Sequence, residues 1–167
     1  MRMSNSKNAP HTRLQVLPTE EYFSRVRKDL AQNGQAYVRV TGTSMTPLLH
    51  HVRDGVVLVP PKRVRSGDIV LFSRENGRYA LHRVIRIKGD RFTMAGDHQW
   101  HIETGLPAKQ IVGVAAMLHR RGKFISCKKF SIKIYSACVT LLTFPRIYIR
   151  RAMRFLIRPF RKPKSAA

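Results

Sequence analysis

The stretch DIVLFSRENGRYALHRVIRI, residues 68–87, decides the fold class of this chain. Its apolar residues follow the period of two that is typical of β-strands. Asn76-Gly77 lies between the two apolar runs, and this dipeptide is preferred in tight hairpin turns with positive φ. The stretch therefore predicts two antiparallel strands joined by a short turn.

The same period of two extends over residues 35–126, whereas the segment before it has helical spacing. In LPTEEYFSRVRKDLAQNG, Thr19 can cap a helix and Gly34 can end it. We therefore expect a mainly β fold, a compact curled or barrel-like sheet, with one N-terminal helix. Six or seven strands are predicted, in QAYVRV, DGVVLVP, DIVLFS, RYALHRVIRI, RFTMAG, IVGVAAMLH and KFIS.

The positive charge is concentrated in the last third of the chain. The sequence has 32 Lys and Arg against 9 Asp and Glu, a net charge of +23. Glu103 is the last acidic residue, and 15 basic residues follow it. Such a tail predicts an anionic partner, either nucleic acid or an acidic lipid surface.

Twelve uncharged residues separate Lys133 from Arg146, fewer than the ~20 that a membrane-spanning helix needs. Pro145 is expected to break a continuous helix and to begin a new one. From there arginines recur every four residues opposite an apolar face, which predicts a cationic amphipathic helix. We expect residues 131–161 to bind an anionic membrane surface. A helix packed on the β domain with its basic face in solvent is the next alternative, and nucleic acid is the least favoured partner.

The N-terminus, MRMSNSKNAPHTRLQV, lacks the apolar core of a secretory signal or a membrane anchor. We expect residues 1–13 to be disordered, residues 14–126 to form the β domain with its leading helix, and residues 127–167 to form a basic amphipathic tail. Arginines near a bilayer favour its cytoplasmic side, so the expected location is the cytoplasmic face of a membrane.

Two residues are candidates for nucleophilic chemistry. Ser44 lies in TGTSMTPLL, and a serine hydroxyl attacks only when a neighbouring base takes its proton. His82 is the polar exception on the strand face that it shares with Ala80 and Val84. Taken alone, each residue is more often structural than catalytic.

The order of four short motifs changes that interpretation. GTSMTP, SGDIVLF, ALHRVIRI and FTMAGD resemble the ordered boxes of the signal peptidase I family, over residues 42 to about 114. The wider superfamily also contains the self-cleaving repressors of the SOS response. Bacterial signal peptidases have a lysine as the base, and His82 at this position resembles the endoplasmic-reticulum and archaeal branch.

This resemblance implies the fold of a signal-peptidase-type catalytic domain and a site without a cofactor or a metal ion. It implies Ser44 as nucleophile, with its backbone N–H as an oxyanion donor, and His82 as general base. Asp97 or Glu103 would orient the base. The residues expected to support the site structurally are Gly42, Met45, Pro47 and Gly96.

Some features depart from the family pattern. Leu48 replaces the usual threonine of the first box, and Gly42 offers no side-chain hydroxyl to an oxyanion. His98 and His101 have the spacing of metal ligands, but the sequence supplies no clear third ligand.

The sequence therefore predicts a serine endopeptidase that cleaves a leader or precursor peptide, docked on a membrane. The alternative is a non-catalytic binding module of the same fold, tethered to membrane or nucleic acid by its tail. A self-cleaving regulator is less favoured, because the one short helix before Ser44 is not a helix-turn-helix.

Overall fold

The computed structural model describes residues 19–157, and the segment expected to be disordered, residues 1–13, lies outside this range. Two α-helices flank eight strands that form one antiparallel sheet. The helices are α1 (Thr19–Asn33) and α2 (Phe130–Ile157). The strands are β1 (Ala36–Arg39), β2 (Gly55–Val59), β3 (Ile69–Ser73), β4 (Tyr79–Lys88), β5 (Arg91–Ala95), β6 (Ile102–Pro107), β7 (Ile111–Arg120) and β8 (Lys123–Ser126).

The strand order is β1-β2-β7-β3-β4-β5-β6, with β8 paired to β7. Strand β7 joins the two halves of the sheet, because it pairs with β2, β3 and β8 along its length. Register shifts interrupt four of the pairings, and such bulges bend a sheet. The mainly β fold with one helix before the sheet and one after it is confirmed.

The sheet separates two hydrophobic clusters. Strand β3 lies between them, so it is buried on both of its faces. Ile69 and Leu71 face the larger cluster, which also contains Leu30 of α1 and Met45. Val70 and Phe72 face the smaller cluster. His82 lies directly opposite Val70, so the histidine belongs to the smaller-cluster face.

Strand β6 was absent from the strands predicted from the sequence. The strand was not predicted because it contains Gly105 and Pro107, and both residue types are depleted in strands. Proline is tolerated here because β6 is an edge strand, which pairs with β5 among the described strands.

The break expected at Pro145 is wrong, because α2 continues through this proline as one helix of 28 residues. Within the described residues, Phe130–Ile149 is the one stretch of helix that is long and apolar enough to cross a membrane by length and composition. The inner side of this stretch packs on the β domain, where Ile132 and Thr143 are buried.

Candidate active site

A buried ion pair forms the centre of this region. Arg83 on β4 donates from Nε to Asp97 Oδ1 at 2.8 Å and from Nη2 to Asp97 Oδ2 at 2.7 Å. Both side chains are fully buried. A two-bond contact of this kind fixes the arginine and carboxylate planes relative to each other. The pair therefore ties the loop after β5 to the middle of β4.

Helix α2 completes the hydrogen bonds of this pair. Arg83 Nη1 donates to the Ser136 hydroxyl and to the carbonyl oxygen of Gly67. The Tyr135 hydroxyl hydrogen-bonds Asp97, and burial together with this carboxylate raises the pKa of Tyr135 to about 12. The first turns of α2 are thus part of the same buried network.

Arg146, ten residues after Ser136 in the same helix, binds the loop between β5 and β6. It donates from Nη1 to the carbonyl oxygen of Asp97 at 2.7 Å and from Nη2 to that of Gln99 at 3.0 Å. Its guanidinium also lies 5.0 Å from the centre of the Trp100 ring, a cation–π distance. The sequence predicted Arg146 on a basic face turned away from the apolar face, whereas this arginine contacts the protein.

His82 is 2% exposed and packs against Phe72, with 5.7 Å between the ring centres. Its Nδ1 lies 3.1 Å from Glu103 Oε1 on the edge strand β6. The N–H direction is not aligned with this oxygen, so the two atoms are close without forming a linear hydrogen bond. Catalytic hydrogen bonds are often poorly aligned before substrate binds.

Glu103 is held as a carboxylate. Burial alone would raise its pKa, but contacts from Arg74 and His82 outweigh burial and lower the pKa of Glu103 to about 2. Arg74 donates to both carboxylate oxygens at 2.7 Å. His82 therefore faces a permanent negative charge at Nδ1 near neutral pH.

Ser44 lies in the turn that follows β1 and packs against Gly96. The Ser44 carbonyl oxygen accepts a hydrogen bond from the His98 backbone N–H at 2.8 Å. A Cβ atom built on Gly96 would lie 3.0 Å from the Ser44 Cβ and 2.6 Å from its carbonyl oxygen. Only glycine leaves room for the serine at this position.

The register of the sheet relates Gly96 to His82. Arg83 on β4 pairs with Ala95 on β5, and continuing this register by one residue sets Gly96 across from His82. Residues directly opposite each other in an antiparallel pair project their side chains to the same face. Ser44 thus takes up the space that a side chain at position 96 would need, on the face of the sheet that carries His82.

The remaining predicted site residues lie around this turn. Met45 is buried in the larger hydrophobic cluster. Gly42 and Pro47 are exposed, and the peptide bond before Pro47 is cis. Gly96 is buried against Ser44. In the described part of the chain no three metal-ligating side chains form a cluster, and His98 contributes its backbone N–H to the Ser44 loop.

Three arginines that bind residues of the candidate site were not predicted from the sequence: Arg74, Arg83 and Arg146. Arg83 carried a usable signal, because a charged residue between His82 and Val84 in an otherwise apolar strand requires a buried partner. Arg74 and Arg146 carried none, since their partners are 29 and 49 residues away along the chain.

The structure is a β domain with a serine on a turn beside one face of the sheet and a buried histidine against a carboxylate on that face. The sequence model of the Peptidase S24-like family matches residues 4–115, which is more than half of the chain. The chain therefore belongs to this family. This membership confirms the superfamily predicted from the four motifs and supports a serine peptidase-type function. A search of curated proteins finds no match.

Asp97→Asn is expected to destabilise the protein by about 3–5 kcal/mol, because it leaves the Arg83 charge buried without its partner. Urea denaturation followed by circular dichroism measures this loss. Glu21→Gln is the matched control, since it breaks the exposed Arg25–Glu21 pair and should cost less than about 1 kcal/mol. Equal losses in both variants would contradict the structural role of the buried pair.

Gly96→Ala is expected to displace the Ser44 turn, because the new Cβ would lie 2.6 Å from the Ser44 carbonyl oxygen. We expect a lower free energy of unfolding and weaker labelling of Ser44 by a fluorophosphonate probe. Gly42→Ala serves as the control for unfolding, since a Cβ there meets nothing within 4 Å. Unchanged stability and labelling in Gly96→Ala would show that the serine does not depend on this space.

The stability of the protein should depend on pH through Glu103. The pKa of Glu103 is about 2 in the folded chain against 4.5 ordinarily, so between these pH values the unfolded chain binds the extra proton. The free energy of unfolding should therefore fall as the pH drops through this window. Glu103→Gln lacks this contribution, so urea denaturation at pH 5.5 and pH 3 should show a shallower fall. Parallel falls would contradict the assignment.

Proposed function

We propose that this protein is a serine endopeptidase that cleaves a leader or precursor peptide, with Ser44 as nucleophile and His82 as general base. Glu103 orients the base. Within the wider superfamily, the histidine at position 82 favours the branch of signal peptidases that use a Ser-His pair.

The observation that carries this proposal is the glycine at position 96. It lets the Ser44 turn pack against the strand position across from His82. The Nδ1 atom of His82 lies 3.1 Å from Glu103 Oε1, so the other ring nitrogen, Nε2, is left for the serine hydroxyl. This is the division of roles found in serine peptidase triads.

The proposed reaction follows from these roles. His82 Nε2 takes the proton as Ser44 Oγ attacks the carbonyl carbon of the scissile peptide bond, and the ionised Glu103 stabilises the imidazolium. The tetrahedral intermediate collapses as His82 returns the proton to the leaving amine. Water then hydrolyses the acyl-enzyme by the same exchange of a proton. The backbone N–H of Ser44 is the proposed oxyanion donor, since Gly42 has no hydroxyl.

Glu103 suits the orienting role better than Asp97. Both Asp97 oxygens accept hydrogen bonds from the buried Arg83. Glu103 contacts the histidine ring, and its charge is secured by Arg74. We therefore assign Asp97 to holding the loop beside Ser44 and Glu103 to the base.

A cavity of about 1060 Å³ opens beside Glu103, bordered by the edge strand β6 and the turn between β3 and β4. Its lining includes Arg74, His101 and Gln110 but neither Ser44 nor His82. The volume suits several residues of a peptide. A substrate in this cavity would place residues remote from the scissile bond there, consistent with an endopeptidase.

One observation favours the alternative, a binding module with an idle site. Arg74 occupies both oxygens of Glu103, and the contact of Glu103 with His82 is not aligned. If substrate binding does not align Glu103 with His82, then Glu103 is only the ion-pair partner of Arg74 and His82 is a residue of the hydrophobic core.

Labelling by a fluorophosphonate probe and cleavage of a peptide library test the proposal. Ser44→Ala and His82→Ala should each lower kcat by at least about 10⁴-fold, because either residue is indispensable to proton transfer and attack. Glu103→Gln should lower kcat by roughly 10²–10⁴-fold, because the base loses the carboxylate that orients it.

Thr46→Ala is the matched control, since its hydroxyl donates to the Thr43 carbonyl oxygen within the same turn. If the cleavage seen in wild type persists in Ser44→Ala, the proposed serine peptidase with Ser44 as nucleophile is refuted. Peptide binding by wild type and Ser44→Ala alike, without cleavage by either, would identify the binding module.

A further inference from the structure

The outer face of α2 is a largely apolar surface. The exposed residues of this face are Phe130, Ser131, Ile134, Cys138, Leu141, Leu142, Pro145, Tyr148, Ile149, Ala152 and Met153. At 100° per residue they fall on one side of the helix, and none of them is charged. From Phe130 to Met153 the face extends for about 35 Å at 1.5 Å per residue. We call this surface the outer face of α2.

The inner side of α2 is already occupied by the protein. Tyr135 and Ser136 bind the Asp97–Arg83 pair, and Arg146 binds two carbonyl oxygens of the neighbouring loop. These contacts extend over three turns of the helix. A helix that crossed a bilayer here would have to give up all of them, so α2 cannot both span a membrane and keep this packing.

The charge around α2 selects among possible occupants. The chain has no acidic residue after Glu103, and Lys128, Lys129 and Lys133 lie at the start of the helix. Besides Arg146, which binds the neighbouring loop, three arginines occur in its second half, Arg150, Arg151 and Arg154. Long apolar surface bordered by cations is suited to the boundary between headgroups and acyl chains of an anionic bilayer.

We propose that the outer face of α2 lies flat in the interface of an anionic membrane, with the β domain held above it by the inner side of the same helix. The occupant is the lipid surface and not a second copy of the chain, because two copies would bring two equally cationic helices together. The cytoplasmic leaflet carries the anionic lipids that this surface requires.

Vesicle flotation tests the proposal without reference to peptidase activity, so its failure is separate from failure of the proposed enzyme. The full-length protein should float with vesicles of phosphatidylcholine and phosphatidylglycerol, and far less with phosphatidylcholine alone. Leu141→Gln and Ile149→Gln should each weaken partitioning by about tenfold, because an apolar side chain no longer enters the lipid. Glutamine keeps the helix propensity of the position.

Ile87→Gln is the matched control, because it removes an exposed apolar side chain from strand β4 and not from α2. It should float like wild type. If all three variants float alike and salt releases them, adsorption by charge alone explains binding and the role of the outer face is refuted. If wild type does not float and ultracentrifugation gives a dimer that Leu141→Gln dissociates, a second copy is the occupant instead.

Cys138 provides a direct probe of depth. It is exposed on the outer face, whereas burial raises the pKa of Cys127 to about 11 and makes that thiol slow to react. A fluorophore on Cys138 should shift to shorter wavelength on binding and be quenched more by nitroxides near the headgroups than at the bilayer centre. Stronger quenching at the centre would indicate a spanning helix and overturn the flat orientation.

Discussion

The buried pair of Arg83 and Asp97 is the interaction on which the arrangement of the candidate site depends. It joins strand β4 to the loop after β5, and its unused donor reaches the Gly67 carbonyl and α2. The same loop contacts Ser44 through Gly96 and His98. A charge buried this deeply is tolerated only when it is paired and fully hydrogen-bonded, so four segments of the chain are obliged to meet at one place.

The strands were predictable where apolar periodicity was local, as in β2 to β5 and β7, and so was the order of Ser44 and His82 along the chain. Strand β6 was not, because Gly105 and Pro107 conceal an edge strand that forms only by pairing with β5. The choice between Asp97 and Glu103 was open for the same reason. Which carboxylate meets the histidine depends on the side chains of Arg74 and Arg83, which bind residues distant in sequence.

Three ion pairs with arginines leave the net positive charge of the chain unchanged at +23. Three of the nine acidic residues, Asp54, Asp97 and Glu103, are turned inward and bind arginine side chains. Hydrogen bonds from Arg53 lower the pKa of Asp54 well below its usual range, so this carboxylate stays ionised in its buried turn. These three carboxylates form ion pairs inside the protein, near the Ser44 turn. Most of the lysines and arginines have no acidic partner, so their charge can attract anionic partners at long range.

Helix α2 also determines how the protein can be dissected. The family match ends at residue 115, within β7, and the prediction from sequence placed a boundary after residue 126. Cutting at that boundary would remove the Ser136 hydroxyl from Arg83 and the Arg146 guanidinium from two loop carbonyls. The smallest fragment that preserves the surroundings of Ser44 therefore ends beyond Arg146, and any such fragment retains most of the outer face of α2.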